Sequence, residues 1–301
     1  MRKYFKKIIV LCLFLLLGFL TAKFCHRATD GFAVVNVYAP KGDHSKWDTP
    51  LSSEIKAEID PILSGCFTYF SCGSQSYVFL SEDGKTVLKL FKFQHLRIPP
   101  WLESIPLPQK IHRYRDEKKR RKRDLLERTF DSVHIAYTLF KEETGLIFIH
   151  LHKTNMLKKQ ITIRDKIGRN HTLDLDQVEF ILQKRGATTY QTIDKWTRED
   201  QLDKAKAGIH DILHLALKRC KKGIFDKDPD FKTNFGFIGE MPLQIDFGRF
   251  SLDPNEKNPE VYIPEMIRIT SLFRDWIEKN HPNLLEFFNS ELQCLTNETS
   301  P

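Results

Sequence analysis

Hydrophobic and polar positions alternate over Cys66–Ser71, Tyr77–Ser81 and Thr86–Phe93, the spacing of strands that bury one face. Glu82-Asp83-Gly84-Lys85 reads as a hairpin turn, with Asp-Gly as its signal. Leu146–His150, Gln160–Arg164 and Val178–Lys184 are further strand-like runs, with a turn at Ile167-Gly168-Arg169-Asn170. Elsewhere the period lengthens. Leu126, Phe130, Val133, Tyr137 and Phe140 form one stripe of a helix over roughly Tyr114–Glu143, and Gly145 ends it. Ala205, Ile209, Ile212, Leu213, Ala216 and Leu217 share a face of a second helix over Asp200–Lys221. Two more helices are expected near Pro264–Lys279 and Pro282–Cys294, each opening on a proline. Four prolines between residues 97 and 108 require a loop there. The order is strand-rich, helix, strand-rich, then mostly helical, which predicts an α+β chain with a β-rich unit joined to an α-rich one.

The first residues follow another pattern. Lys3, Lys6 and Lys7 precede an uncharged apolar run from Ile8 to Ala22. Residues 1–27 are expected to be a signal anchor or signal peptide, the anchor being favoured because Leu20-Thr21-Ala22 is only a fair cleavage site. Basic residues ahead of the run keep its N-terminus cytoplasmic and place the domain on the exported side, although Lys23 and Arg27 reduce that bias. Two glycosylation sequons, Asn170-His171-Thr172 and Asn297-Glu298-Thr299, suit a lumen. Residues 28–57, with Pro40, Gly42 and Pro50, read as a linker.

Charge and cysteines exclude more than they suggest. Six of the 47 Lys and Arg lie in residues 1–27, leaving 41 against 39 acidic residues, so nucleic-acid binding is not indicated. The six cysteines have no Cys-x-x-Cys spacing and no paired histidine, so the sequence reading finds no zinc site and expects buried free thiols.

The chemistry gathers after residue 222. Gly223-Ile224-Phe225-Asp226-Lys227-Asp228 follows the second amphipathic helix, Asn234 comes six residues after Asp228, and Ile245-Asp246-Phe247-Gly248 ends a short apolar run. Phosphoryl transfer needs such groups: one carboxylate to orient the attacking hydroxyl, an amide and a second carboxylate to hold Mg²⁺. Lys89, in Val87-Leu88-Lys89-Leu90, is a cation among apolar neighbours on a strand and must aim its head at a partner or at water.

In this order the residues resemble the protein-kinase-like superfamily, which includes protein kinases and the aminoglycoside-phosphotransferase type, over roughly residues 60–250. The resemblance implies a two-lobed fold: a β-rich N-lobe over 58–184 and a small α-rich C-lobe over 185–301, preceded by the apolar helix. It implies ATP and Mg²⁺ as cofactors. Gly73, Ser76 and Val78 would form the phosphate loop, although serine replaces glycine at Ser71 and Ser76. Lys89 would hold the α- and β-phosphates, with Glu127 as its helix partner; a solvated pairing of Glu127 with Arg120 or Arg123 is the alternative. Asp228 would be the catalytic carboxylate, with Asp230 as a rival because Asn234 stands one residue later than in the family. Asn234 and Asp246 would be the metal ligands.

The expected function is membrane-anchored transfer of the ATP γ-phosphoryl group to a hydroxyl of a protein or small molecule. The 53 residues after Gly248 imply a reduced substrate lobe. The lost glycines and the shifted Asn234 suit the alternative, a pseudokinase or scaffold that binds nucleotide or a partner without catalysis. Lys118-Lys119-Arg120-Arg121-Lys122-Arg123 is either a solvated face or a surface for anionic lipid or a phosphorylated partner.

Overall fold

A computed structural model of the chain describes residues 2–97 and 109–297. The proline-rich loop expected up to residue 108 lies almost wholly outside the described residues, as do the last two residues of the second sequon.

The chain opens with helix α1 (Arg2–Thr29). Within Tyr4–Thr29 an 18-residue window has a mean hydropathy of 2.6, and none of that window is buried. By length and composition it can cross a membrane, a test that a signal sequence also passes.

Period-two alternation produces strands β1 (Cys66–Cys72), β2 (Ser76–Leu80), β3 (Thr86–Phe91), β4 (Leu146–His150), β5 (Gln160–Arg164), β6 (Asn170–Asp174) and β7 (Phe180–Lys184). They form one mixed sheet in the order β4-β7-β3-β2-β1-β5-β6. Only the β1–β5 pair is parallel. Alternation sorts the two faces. Tyr77, Phe79, Leu88, Leu90, Phe180 and Leu182 point into one apolar core, with Ile59 and Leu63 from and just beyond helix α2 (Ser53–Ile62). Val78, Val87, Lys89, Phe91, Ile181 and Gln183 are left for the other face, where they line a cavity.

The second core is helical. Helix α3 (Gln109–Leu139) buries Leu126, Phe130 and Val133, as its stripe predicts, and also Ala136, while Tyr137 is only half-buried. It breaks at Phe140 and resumes as one turn, α4 (Lys141–Thr144). Gly145 then stops the chain at φ +60°, where a Cβ would strike Leu243 at 2.7 Å. A short strand, β8 (Ala187–Thr188), leads into helices α5 (Thr189–Arg198) and α6 (Leu202–Lys221). Ala205, Ile209, Ile212, Leu213 and Ala216 of α6 are fully buried. Strands β9 (Ile224–Asp226), β10 (Phe235–Ile238), β11 (Met241–Gln244) and β12 (Phe250–Leu252) form small sheets of order β11-β10-β8 and β12-β9. Helices α7 (Pro259–Asn280) and α8 (Leu285–Asn297) complete the described chain.

Several expectations shift. Helix α7 begins at Pro259, not Pro264, because Asn258 caps it by accepting from the Glu260 amide at 3.0 Å. Residues 28–57 carry packed side chains: Phe32 and Val37 join the sheet core, and Trp47 joins the helical core and donates to Asp131 at 2.8 Å. The cysteines are all free thiols, but only Cys220 is buried.

Candidate functional site

Four polar elements meet where the sheet's second face looks onto the small strands. A cavity of about 530 Å³ is lined by Gly73, Ser76 and Val78 from β1–β2, Lys89 from β3, Ile181 and Gln183 from β7, and Asn234, Asp246 and Gly248. A smaller polar recess adjoins it, bounded by Ser74, Gln75, Asp226, Asp228, Asn234, Asp246, Gly248 and Arg249. Lys89, Asp228, Asn234 and Asp246 are scattered over more than 150 residues of sequence and converge on these two joined spaces.

The β1–β2 hairpin closes tightly, Gly73 N–H donating to the Ser76 carbonyl at 2.9 Å. A Cβ on Gly73 would meet nothing within 4 Å. No packing inside the chain therefore demands glycine there; close approach of a ligand would. At the hairpin tip, Gln75 Nε2 donates to the Gly248 carbonyl at 3.3 Å, joining the hairpin to the far side of the cleft.

Lys89 is held inside. Its Nζ donates to the Ile245 carbonyl at 2.9 Å and stands 5.2 Å from the Phe247 ring centroid. Burial pushes its pKa below the ordinary lysine value, and the nearby Asp246 charge opposes that shift only in part. Glu127 is not its partner. The Glu127 carboxylate is half-exposed, 4.0 Å from Lys46 Nζ, and helix α3 turns Val133 toward the cavity instead. The expected Lys89–Glu127 pair is absent because Glu127 lies off the buried side of α3, while Leu126, Phe130 and Val133 occupy it.

The loop from Asp226 to Asn234 is anchored from below. Arg219 on α6 and Asp226 on β9 form a buried ion pair at 3.1 Å. Gln244 Nε2 donates to the same carboxylate at 2.8 Å, and the other oxygen accepts from Asp228 N–H at 3.0 Å. Burial pushes the Asp226 carboxyl up, and Arg219 pulls it back. Asp228 itself is exposed, with its carboxylate 3.8 Å from Arg249. Asp230 is committed elsewhere: its oxygens accept from the Lys232 amide and the Thr233 hydroxyl at 2.9 and 2.8 Å. Its carbonyl accepts from Asn234 N–H at 2.9 Å, closing a single turn. Asp228 borders the recess and Asp230 does not.

Asn234 and Asp246 are tied through the backbone. The Asn234 carbonyl accepts from Ile245 and Asp246 N–H at 2.7 and 3.3 Å, so the two side chains grow from hydrogen-bonded segments. The Asn234 amide nitrogen donates to the Asp228 carbonyl, and its oxygen accepts from Thr233 Oγ1 at 2.9 Å. Asp246 Oδ1 accepts from Gly248 N–H at 2.9 Å. An amide oxygen and a carboxylate, without nitrogen or sulfur donors beside them, suit a hard cation such as Mg²⁺.

Three side chains of the site escaped the sequence reading. Ser132, fully buried on α3 beside its apolar stripe, donates to the Phe247 carbonyl and accepts from Phe250 N–H at 2.6 Å. Gln183 donates to the Thr144 and Ile245 carbonyls at 2.7 and 3.1 Å, and its Oε1 is buried without a hydrogen-bond partner. Arg219 is the third. A polar residue at an apolar-periodic position was the available signal for Arg219; nothing marked Ser132 or Gln183.

No family model and no curated protein sequence matches this chain. Among solved structures, it is similar to WbdD at 13% identity and a TM-score of 0.34, covering 73% of this chain and 44% of that one. A second WbdD structure, described as a bifunctional kinase-methyltransferase, gives 13% identity, a TM-score of 0.32 and coverage of 73% and 43%. An Rv3197–erythromycin complex from Mycobacterium tuberculosis gives 16% identity, a TM-score of 0.35 and coverage of 82% and 62%. The matched region spans less than half of each WbdD chain.

Proposed function

We propose that the chain is a two-lobed, kinase-like ATP-dependent phosphotransferase, anchored to a membrane by α1, that passes a γ-phosphoryl group to a hydroxyl. The observation that carries the reading is the convergence of Lys89, Asn234 and Asp246 on one cavity, with Asp228 at the adjoining recess. On this reading residues 58–184 and 185–301 are the two lobes, and the cavity is the nucleotide site between them. Lys89 holds phosphate oxygens, exchanging the Ile245 carbonyl for an anion that compensates its buried charge. Gly73 and Ser76 offer backbone N–H groups over the phosphates. Val78 packs on the base, and the unpartnered Gln183 oxygen accepts from an exocyclic amine of a purine. Asn234 and Asp246 hold Mg²⁺, which when bound neutralises charge developing on the phosphates. Asp228 orients the acceptor hydroxyl and takes its proton. Within Lys118–Arg123 on α3, Lys118, Arg120, Arg121 and Arg123 are exposed and would favour an anionic lipid surface, while Lys119 and Lys122 are half-buried.

Thermal unfolding of the full chain in detergent, with ATP in the presence and absence of Mg²⁺, tests this. A Mg²⁺-dependent upward shift that Asp246→Ala removes is expected. The absence of any nucleotide shift in the wild type overturns both this reading and the next.

A second reading is a pseudokinase that binds nucleotide without transfer. The pairing of Lys89 with Ile245 in place of an acidic partner favours it, as does the Asn234 amide engaged by Asp228 and Thr233. A nucleotide shift without phosphoryl transfer to water or to any hydroxyl acceptor would select it.

A further inference from the structure

Outside the residues that line the cleft, helices α6 and α8 bring together three side chains with the chemistry of a transition-metal site. His210 and His214 stand four residues apart on α6, so a helix of about 3.6 residues per turn puts both rings on one side. Their ring centroids are 4.1 Å apart, inclined at 40°. Glu291 reaches them from α8, its Oε2 2.5 Å from His210 Nδ1. One donor atom from each residue can be chosen so that all three lie within 4.8 Å of one another.

We infer that His210, His214 and Glu291 form a Zn²⁺ site that fastens α8 to α6. Two imidazole nitrogens and one carboxylate oxygen are donors that zinc takes, with water as the fourth. Bonds of about 2.0–2.2 Å in a tetrahedron set donors about 3.3 Å apart. The His210–Glu291 contact therefore opens by less than about 1 Å as the metal replaces the hydrogen bond. The largest donor separations close by side-chain rotation, since His210 is exposed and the other two are half-buried. The backbones need not move, because apolar packing already sets the two helices: Phe288 and Leu295 of α8 are buried in the same core as Ile209 and Leu213 of α6. The spacing His-x-x-x-His was present in the sequence, but its third ligand is 77 residues further on. Reading cysteine spacings alone could not assemble the set.

The test uses the full chain in detergent, stripped with chelator and free of nucleotide and Mg²⁺. Titrated ZnCl₂ is expected to raise the unfolding midpoint by about 5 °C at a hundredfold excess over Kd. One equivalent of CoCl₂ should give visible d–d absorption without sulfur-to-cobalt charge transfer. His214→Ala and Glu291→Gln should each weaken binding by at least about tenfold. Asp246→Ala should keep the zinc shift, which separates this site from the nucleotide cleft. No zinc shift, unchanged affinity in both variants, or a thiolate band would overturn the inference. The first two outcomes would leave His210 and Glu291 as a plain interhelical hydrogen bond, and the third would move the metal to a cysteine. The cobalt spectrum of the wild type stands independently of whether either variant folds.

Discussion

Arg219 and Asp226 form an ion pair in which both side chains are almost wholly shielded from water, 1% and 2% exposed, directly beneath the loop that carries Asp228. Asp226 stands where the kinase resemblance places a histidine. Here the carboxylate neutralises the helix arginine, accepts from Gln244 and holds the Asp228 amide. The pair is thus a support for the loop as well as a charge balance.

Removing one partner should be costly. Asp226→Ala leaves the Arg219 cation buried and uncompensated, a loss of about 3–5 kcal/mol. Asp228→Ala, at an exposed side chain, should change stability by less than about 0.5 kcal/mol. Urea unfolding of the two variants measures the contrast, and equal losses would contradict the supporting role assigned to Asp226.

Lys89 should show the opposite balance between stability and function. Burial disfavours its charge, so Lys89→Met is expected to keep or raise stability while abolishing any nucleotide-dependent shift. The sign with pH follows from the lowered pKa. The unfolded chain holds the lysine proton over a range where the folded chain has released it, so folding stability rises with pH in that window. Wild type should therefore gain on Lys89→Met as pH climbs toward the ordinary lysine value, about 10.4. A difference that stays flat up to that pH would show that the ammonium is well compensated where it sits.

Gln75 and Gly248 should be energetically coupled. A Cβ on Gly248 would come within 2.6 Å of Gln75 Oε1, the movable end of a flexible side chain. Gly248→Ala therefore displaces Gln75 from the Gly248 carbonyl and frees the hairpin tip. In a Gln75→Ala background most of that cost should vanish, giving a coupling of about 0.5 kcal/mol or more in a double-mutant cycle. Additive effects would mean that the hairpin is not latched through this contact.

Ser132→Ala should loosen the segment behind Asp246. It strips the Phe247 carbonyl of a donor and the Phe250 amide of an acceptor in a buried setting. The expected cost is about 1–3 kcal/mol, with faster amide exchange at Phe250 than in the wild type. An unchanged exchange rate there would assign the anchoring of this turn to the Phe247 and Phe250 rings alone.

Legibility followed the range of the interaction. The strands β1–β3 and helix α6 could be read because period-two and period-3.6 burial is written into consecutive residues. Helix α2, strand β6 and helix α5 were missed. Each is short. Strand β6 pairs with the preceding β5, Gln160 opposite Asp174, but buries only Leu173, so no apolar alternation marks it. In the site, Lys89, Asp228, Asn234 and Asp246 could be named from chain order. Glu127 could not be placed, because a helical stripe fixes which side is buried but not the neighbour that side meets.

The sequence by itself determined the alternation that puts Lys89 on the face opposite Leu88 and Leu90, the apolar reach of α1, and the order of the polar residues from Lys89 to Asp246. Local backbone geometry suffices for these, since side-chain direction repeats along a strand or helix. Only the tertiary structure decided that Lys89 meets Ile245 in place of Glu127, that Arg219 closes on Asp226, and that Glu291 comes to His210. Those choices depend on how separate elements pack. Packing is set by the summed burial of whole faces, a quantity that no single stretch of sequence contains.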